Sequence, residues 1–235
     1  MTETKTIQET NQLFPIFLKL EQLKLLIVGA GNVGLEKLHA VLQNSPATSI
    51  TVVAPEIKED VKALTEKYTN ISIVESVYDE VLLNDADLVI VAVNDKILGE
   101  QIRSDAHERG LLVNVADTPD LCDFYLGSIV RKGNLKVAIS TNGKSPTIAK
   151  RLKEAFTEML PEELDDVLHN MESIRKKMNG SFAKKVHELN HITKVLAVKE
   201  LPEPKSNSEK RWRRIVTWCL FAFFFMFTGH VVLSY

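Results

Sequence analysis

Cysteine is scarce in this sequence of 235 residues, which contains only Cys122 and Cys219. Two cysteines so far apart form no disulfide framework, and they do not provide the ligands of a structural zinc site. An excess of basic charge is also missing: the net charge is −2, although four basic residues cluster between Lys210 and Arg214. The remainder of the chain is mildly acidic, so we expect no nucleic-acid partner.

Charged side chains are absent from residues 215–235, which read IVTWCLFAFFFMFTGHVVLSY. A helix of this length spans about 30 Å, the thickness of the hydrocarbon core of a bilayer. The basic cluster before it predicts that the preceding chain stays in the cytoplasm, and the polar N-terminus lacks the apolar region of a secretion signal. We therefore expect a cytoplasmic domain anchored to the inner face of a membrane by a C-terminal transmembrane helix. The alternative is a buried terminal helix.

Short apolar runs alternate with helical stretches in the first half of the chain. The runs lie at residues 24–28, 50–54, 71–74, 87–93 and 111–115. This alternation predicts a parallel, doubly wound α/β sheet. After Ala116 the pattern changes to two strands, near 124–130 and 135–140. A helix then begins at Ser145-Pro146, since Ser is a favoured N-cap and Pro a favoured first helical residue.

A glycine-rich turn, Gly29-x-Gly31-x-x-Gly34, follows the first predicted strand and opens a helix. In such turns the first glycine permits the tight turn, the second lets a pyrophosphate approach the backbone, and the third allows close helix–sheet packing. Glu56 follows the second strand, where a carboxylate accepts hydrogen bonds from a ribose hydroxyl and repels a 2′-phosphate. The pattern therefore favours NAD over NADP. The alternatives are a turn without a ligand and a different nucleotide.

Five segments in order carry a more selective resemblance: FPIFL (14–18), VGAGNVGLEK (28–37), VVAPE (52–56), NVADTPDLCDF (114–124) and AISTNGKSPTIAKRLK (138–153). Over about residues 12–190 the chain resembles the precorrin-2 dehydrogenase family of siroheme biosynthesis, some members of which are also sirohydrochlorin ferrochelatases. The resemblance implies a Rossmann-like domain, NAD as cofactor, a tetrapyrrole substrate and a homodimer. It also implies NAD-dependent oxidation of precorrin-2 to sirohydrochlorin, with insertion of Fe²⁺ left open.

The resemblance also implies a division of the chain and a set of site residues. The division is an NAD-binding domain at 12–116, a dimerisation and active-site region at 117–144 and a helical domain at 145–200. Composition adds a polar, Pro-containing linker at 201–210 and a membrane segment at 211–235, which departs from the usual family plan. Asn32, Val33, Pro55 and Glu56 are expected to contact the dinucleotide. Thr141, Asn142, Gly143, Lys144 and Ser145 form a loop at a helix N-terminus that suits substrate carboxylates, although an ordinary strand–helix loop explains them equally well.

Asp117 matches the essential aspartate of the family, and it is our candidate for the general base. Its position supports this independently, because it follows the fifth strand at the carboxyl end, where open α/β sheets bind ligands. A carboxylate there takes a proton while the nicotinamide takes a hydride. The alternative is that Asp117 only forms a turn with Thr118-Pro119.

One metal motif is present and rejected. His187-Glu188-Leu189-Asn190-His191 matches H-E-x-x-H, a zinc-protease pattern, but it lies in a polar terminal helix without a persuasive third ligand. We therefore expect no catalytic metal site. The competing functional class is a regulatory module that binds NAD without catalysis and is tethered to a membrane by the C-terminal segment.

Overall fold

The computed structural model describes residues 11–193, and a five-stranded parallel sheet forms its centre. The strands are β1 (Lys24–Val28), β2 (Ser49–Ala54), β3 (Ile71–Glu75), β4 (Leu88–Val91) and β5 (Leu112–Val115). They are ordered β3-β2-β1-β4-β5. The chain order therefore reverses beside β1, where β2 pairs with one edge of that strand and β4 with the other. The predicted Rossmann-like parallel sheet is confirmed.

Both faces of this sheet are covered, because successive side chains of a strand point to opposite sides. Along β1, Leu25 and Ile27 belong to one buried cluster, whereas Leu26 and Val28 belong to the other. Two helices, α1 (Asn32–Asn44) and α2 (Glu59–Thr65), bury apolar residues in the first cluster. Helix α3 (Lys96–Glu108) buries Ile102 and Ala106 in the second. The strands are thus held by apolar packing on both faces of the sheet.

The chain beyond β5 first forms an antiparallel hairpin, β6 (Ser128–Lys132) and β7 (Leu135–Ile139). Helix α4 (Pro146–Met159) follows, and the Ser145 hydroxyl caps it by accepting a hydrogen bond from the Ile148 amide at 3.2 Å. The last described helices are α5 (Leu164–Lys177) and α6 (Phe182–Thr193). The hairpin and the capped start of α4 agree with the sequence expectations.

Two compact units divide the chain, one up to Asp165 and the other from Asp166. The described part of the second unit, residues 166–193, contains most of α5 and all of α6. The predicted linker at 201–210 lies outside the described residues. The five-part division of the chain stays a prediction.

The predicted membrane helix is corrected. Between residues 11 and 193 no helix is long and apolar enough to cross a bilayer. The segment on which the prediction was based, residues 211–235, lies outside the described part of the chain. The fold class of residues 11–193 is therefore the Rossmann-like α/β fold with its hairpin and helices, with no transmembrane helix among these residues. Membrane anchoring, and the localisation inferred from it, lose their support on the same finding.

Candidate functional site

Two of the three glycines in the phosphate turn are required by packing within the chain. Gly29 has φ +108°, and a Cβ atom built on it would lie 2.3 Å from the carbonyl oxygen of Ala92. A Cβ on Gly34 would lie 2.1 Å from the carbonyl oxygen of Gly29. Both distances are far below van der Waals contact, and both neighbours are backbone atoms. These glycines therefore let β1, α1 and the end of β4 approach one another.

Gly31 is different, because nothing in the described chain explains why it lacks a side chain. A Cβ at this position would meet no atom within 4 Å, and the residue is exposed at the N-cap of α1. No side chain caps the helix there. The open space and the uncapped amides at a helix N-terminus fit the phosphates of a dinucleotide. Asn32, Val33 and Gly34 follow as the first residues of α1.

The end of β2 approaches the start of α1 through a residue that sequence reasoning missed. Lys58 donates to the Asn32 side-chain oxygen at 2.9 Å and forms an ion pair with Asp60 at 2.7 Å. Pro55 and Glu56, just before it, are exposed. Lys58 reaches α1 because its amide bonds the Ala30 carbonyl at 3.3 Å. Only the folded turn reveals this contact, since 26 residues separate Lys58 from Asn32.

Asp117 lies on a cleft at the carboxyl ends of β4 and β5. The cleft has a volume of about 200 Å³, and its lining includes Val33 from α1 as well as Asp117. Asp117 is exposed and has φ +57°, a left-handed conformation that aspartate tolerates better than most residues. Of the predicted site residues, the structure brings Val33 and Asp117 to this cleft, whereas Pro55, Glu56 and the 141–145 loop are not part of its lining.

The loop after β4 contributes two polar residues to the cleft that were not predicted, Asn94 and Asp95, together with Val93. Asp95 caps α3, since its carboxylate accepts hydrogen bonds from the amides of Ile97 and Leu98 at 2.9 and 3.2 Å. The signal was available in the sequence, because both polar residues directly follow the apolar run at 87–93, which was predicted as a buried strand.

The predicted substrate loop is stabilised mainly by its own polar groups. The Thr141 hydroxyl accepts a hydrogen bond from the Ser145 amide at 3.2 Å, and the Ser145 hydroxyl caps α4. Asn142 and Gly143 have φ angles of +53° and +73°. Lys144 is exposed. The hydroxyls thus act in loop closure and helix capping, while the exposed lysine provides the charge.

A second, larger cleft of about 490 Å³ is lined by parts of α1, β6 and α4. Its lining combines the apolar residues Leu126 and Ile129 with three basic side chains, Lys37, Arg131 and Lys153. Arg131 also donates to the Gln43 carbonyl at the end of α1. This cleft offers apolar contacts and positive charge together.

His187, Glu188 and His191 are exposed on α6. Among the residues that the structure describes, no three His, Cys, Asp or Glu side chains are placed to hold a metal ion.

Comparison with known proteins finds two family models and several similar chains. Residues 16–128 match a protein-family model described as putative NAD(P)-binding, and residues 132–159 match one described as sirohaem biosynthesis protein, central. The first description covers both dinucleotides. A siroheme synthase of Psychrobacter cryohalolentis is 40% identical over 149 residues, which are 63% of this chain and 28% of that protein. A siroheme synthase 2 of Pectobacterium atrosepticum is 31% identical over 170 residues, or 72% and 36% of the two chains.

The matched region spans about a third of the length of these curated relatives. Among solved structures, SirC, a precorrin-2 dehydrogenase, matches with a TM-score of 0.63 and 24% identity, covering 77% of this chain and 89% of its own. At that level of identity the likeness establishes the fold.

Proposed function

We propose that the chain belongs to the siroheme-biosynthesis family over residues 16–159 and that it is an NAD-dependent precorrin-2 dehydrogenase. The observation that carries the proposal is the position of Asp117. It lies in a left-handed turn at the end of β5, on the same cleft as Val33 of the phosphate-turn helix. A base and a dinucleotide site therefore adjoin one space.

The residues around the phosphate turn fit a dinucleotide. Gly31 leaves open space above uncapped helix amides, where phosphates bind. Asn32 and Val33 follow it, and Pro55 and Glu56 stand exposed after β2. The Glu56 carboxylate is suited to a ribose hydroxyl and opposes a 2′-phosphate, which supports NAD as the preferred cofactor.

Oxidation removes a hydride and a proton from the substrate, and the nicotinamide, when bound, supplies the hydride acceptor. Asp117 is the base that takes the proton, since its carboxylate is exposed at the cleft. The strained turn holds the carboxylate at the carboxyl edge of the sheet, where the reacting ring enters.

The proposed substrate is a tetrapyrrole. A cleft of about 200 Å³ is smaller than the pockets of about 300–1,000 Å³ that enclose drug-sized ligands, so it admits only part of such a molecule. The substrate's carboxylates require basic groups elsewhere. Lys144 in the 141–145 loop and the basic residues of the larger cleft supply suitable charge.

We also propose a homodimer, as the family resemblance implies. Helix α4 carries an apolar stripe with Ile148, Leu152 and Met159 exposed by 55%, 39% and 61%. A second copy is the proposed cover for this stripe. Sedimentation of the full chain should show a dimer that I148E/L152E dissociates, whereas Lys150→Glu, on the other side of α4, leaves it intact. A monomeric wild type would contradict the proposal.

The deciding experiment mixes the full chain anaerobically with freshly generated precorrin-2 and NAD. NADH and sirohydrochlorin absorbance should rise together. Asp117→Asn removes the base but keeps a residue that tolerates positive φ, so we expect kcat to fall about 10²–10⁴-fold with unchanged NAD affinity. Later addition of Fe²⁺ tests metal insertion. NAD binding without any turnover would favour a regulatory module.

A further inference from the structure

The loop that carries Asp117 returns to β5, where the consecutive residues Cys122 and Asp123 form hydrogen bonds with the strand. The Asp123 amide donates to the Val113 carbonyl at 2.8 Å, and the Asp123 carboxylate accepts from the Val113 amide at 2.9 Å. The same carboxylate oxygen lies 2.8 Å from Nε2 of His107 on α3. These bonds hold the returning chain alongside the strand and fix the far end of the loop.

The near end of the loop is closed by a backbone bond, in which the Thr118 amide donates to the Val115 carbonyl at 3.3 Å, and by a thiol. Sγ of Cys122 lies 3.1 Å from the Val115 carbonyl oxygen and 3.3 Å from that of Thr118. These two residues flank Ala116 and Asp117, so the thiol reaches the backbone on both sides of the strained turn. Burial raises the pKa of the Cys122 thiol, which keeps the hydrogen needed for donation.

Asn114 provides an independent reason to regard this closure as specific. It is a buried polar residue on β5, only 6% exposed, in a strand whose neighbours are apolar. Its side-chain nitrogen donates to the Phe124 carbonyl at 2.8 Å and lies 3.5 Å from Sγ of Cys122. A buried amide is costly unless its bonds are made, so it favours one arrangement of the loop over others.

We infer that Cys122, supported by Asn114, is a positioning residue that holds the Asp117 turn in its left-handed conformation at the cleft. The inference rests on the proposed function, because it assigns a role in presenting the base. Cys122 takes no part in the chemistry. Its thiol closes the loop so that Asp117 meets the substrate in one geometry, and displacement of such a group by about 1 Å can cost about 10²-fold in rate.

The test uses three variants of Cys122. Cys122→Ala and Cys122→Val both remove the hydrogen-bond donor, and their side chains are smaller and larger than that of cysteine. Cys122→Ser keeps a donor. We expect Ala and Val to lower kcat about tenfold or more, with NAD affinity unchanged, and Ser to restore kcat to within about threefold. Hydrogen exchange of the peptide covering residues 116–122 should be faster in the Ala and Val variants only.

Thr65→Val, in α2, is the matched control. It removes another side-chain hydrogen bond to a backbone carbonyl, which the Thr65 hydroxyl donates to the Lys62 carbonyl at 2.8 Å. Equal losses of kcat in Thr65→Val and Cys122→Ala would overturn the inference, as would unchanged kcat or exchange in the Cys122 variants. If wild type shows no turnover, the proposed function fails, while the exchange comparison still decides whether Cys122 holds the loop.

Discussion

Replacing Gly31 and Gly34 separately by alanine should separate ligand binding from packing. Gly31 lies at the N-cap with φ −84° and ψ −158°, which alanine adopts without strain, and its Cβ would enter open space. Alanine gains about 0.4–1 kcal/mol from the unfolded chain and gives back a similar amount as a poor N-cap. The free energy of unfolding should therefore change by less than about 1 kcal/mol.

Gly34→Ala should have the opposite profile. Helix propensity alone would stabilise the protein by about 1 kcal/mol. The new Cβ would lie 2.1 Å from the Gly29 carbonyl oxygen, and that oxygen belongs to the backbone of the phosphate turn. Overpacking of this kind costs about 1–3 kcal/mol, and contact with backbone places it at the upper end. We expect a net loss of about 2 kcal/mol.

Urea unfolding and NAD titration of both variants measure the two effects. Gly31→Ala should keep its unfolding midpoint and lose NAD affinity at least about tenfold, or about 1.4 kcal/mol, because the methyl group occupies the place of the phosphates. Gly34→Ala should lower the midpoint. An unchanged NAD affinity in Gly31→Ala would refute the proposed phosphate position, and a Gly34→Ala protein as stable as wild type would refute the packing argument.

Three further outcomes are expected. Glu56→Gln should raise the ratio of NADP to NAD affinity about tenfold in paired titrations, because a carboxylate no longer opposes the 2′-phosphate; an unchanged ratio would contradict its role. Tyr78→Phe should lower the free energy of unfolding in urea by about 1 kcal/mol, since the half-buried hydroxyl donates to Asp105 at 2.9 Å; no loss would argue against that bond. Burial raises the pKa of Cys122, so iodoacetamide at pH 8 should alkylate it more slowly in the native protein than in urea, as followed by mass spectrometry. The pKa shift of Cys122 also makes the free energy of unfolding depend on pH. Its stabilising contribution is present below the ordinary thiol pKa and is lost as pH rises through the raised pKa of Cys122.

Much of the sheet could be predicted because β1, β2, β4 and β5 are buried on both faces. The runs at 24–28 and 50–54 coincide with β1 and β2 to within a residue. The 3-10 helix at Glu80–Asp85 was missed, since its residues, EVLLND, show no extended helical period. The phosphate turn was recognisable for a different reason, because each glycine has a fixed place relative to β1 and α1.

The remaining features of the site depend on contacts between distant parts of the chain. Lys58 reaches Asn32 only through the turn after β2, and the positive φ of Asp117 follows from the loop's return to β5. The membrane helix predicted for the apolar C-terminal segment was based on composition alone. That prediction had no support from packing or from contacts.

The order of strands in the sheet determines when the phosphate turn is completed during synthesis. β1 pairs on one side with β2, which follows it closely, and on the other with β4, where Leu25 lies opposite Leu88. Gly29 packs against Ala92, at the end of β4. A nascent chain that has released only β1, α1 and β2 therefore has an unpaired edge on β1. Its phosphate turn also lacks the Ala92 backbone against which Gly29 packs. Pairing of β4 with β1 closes that edge, so competence to bind the dinucleotide arises only after the segment around Ala92 has emerged and folded.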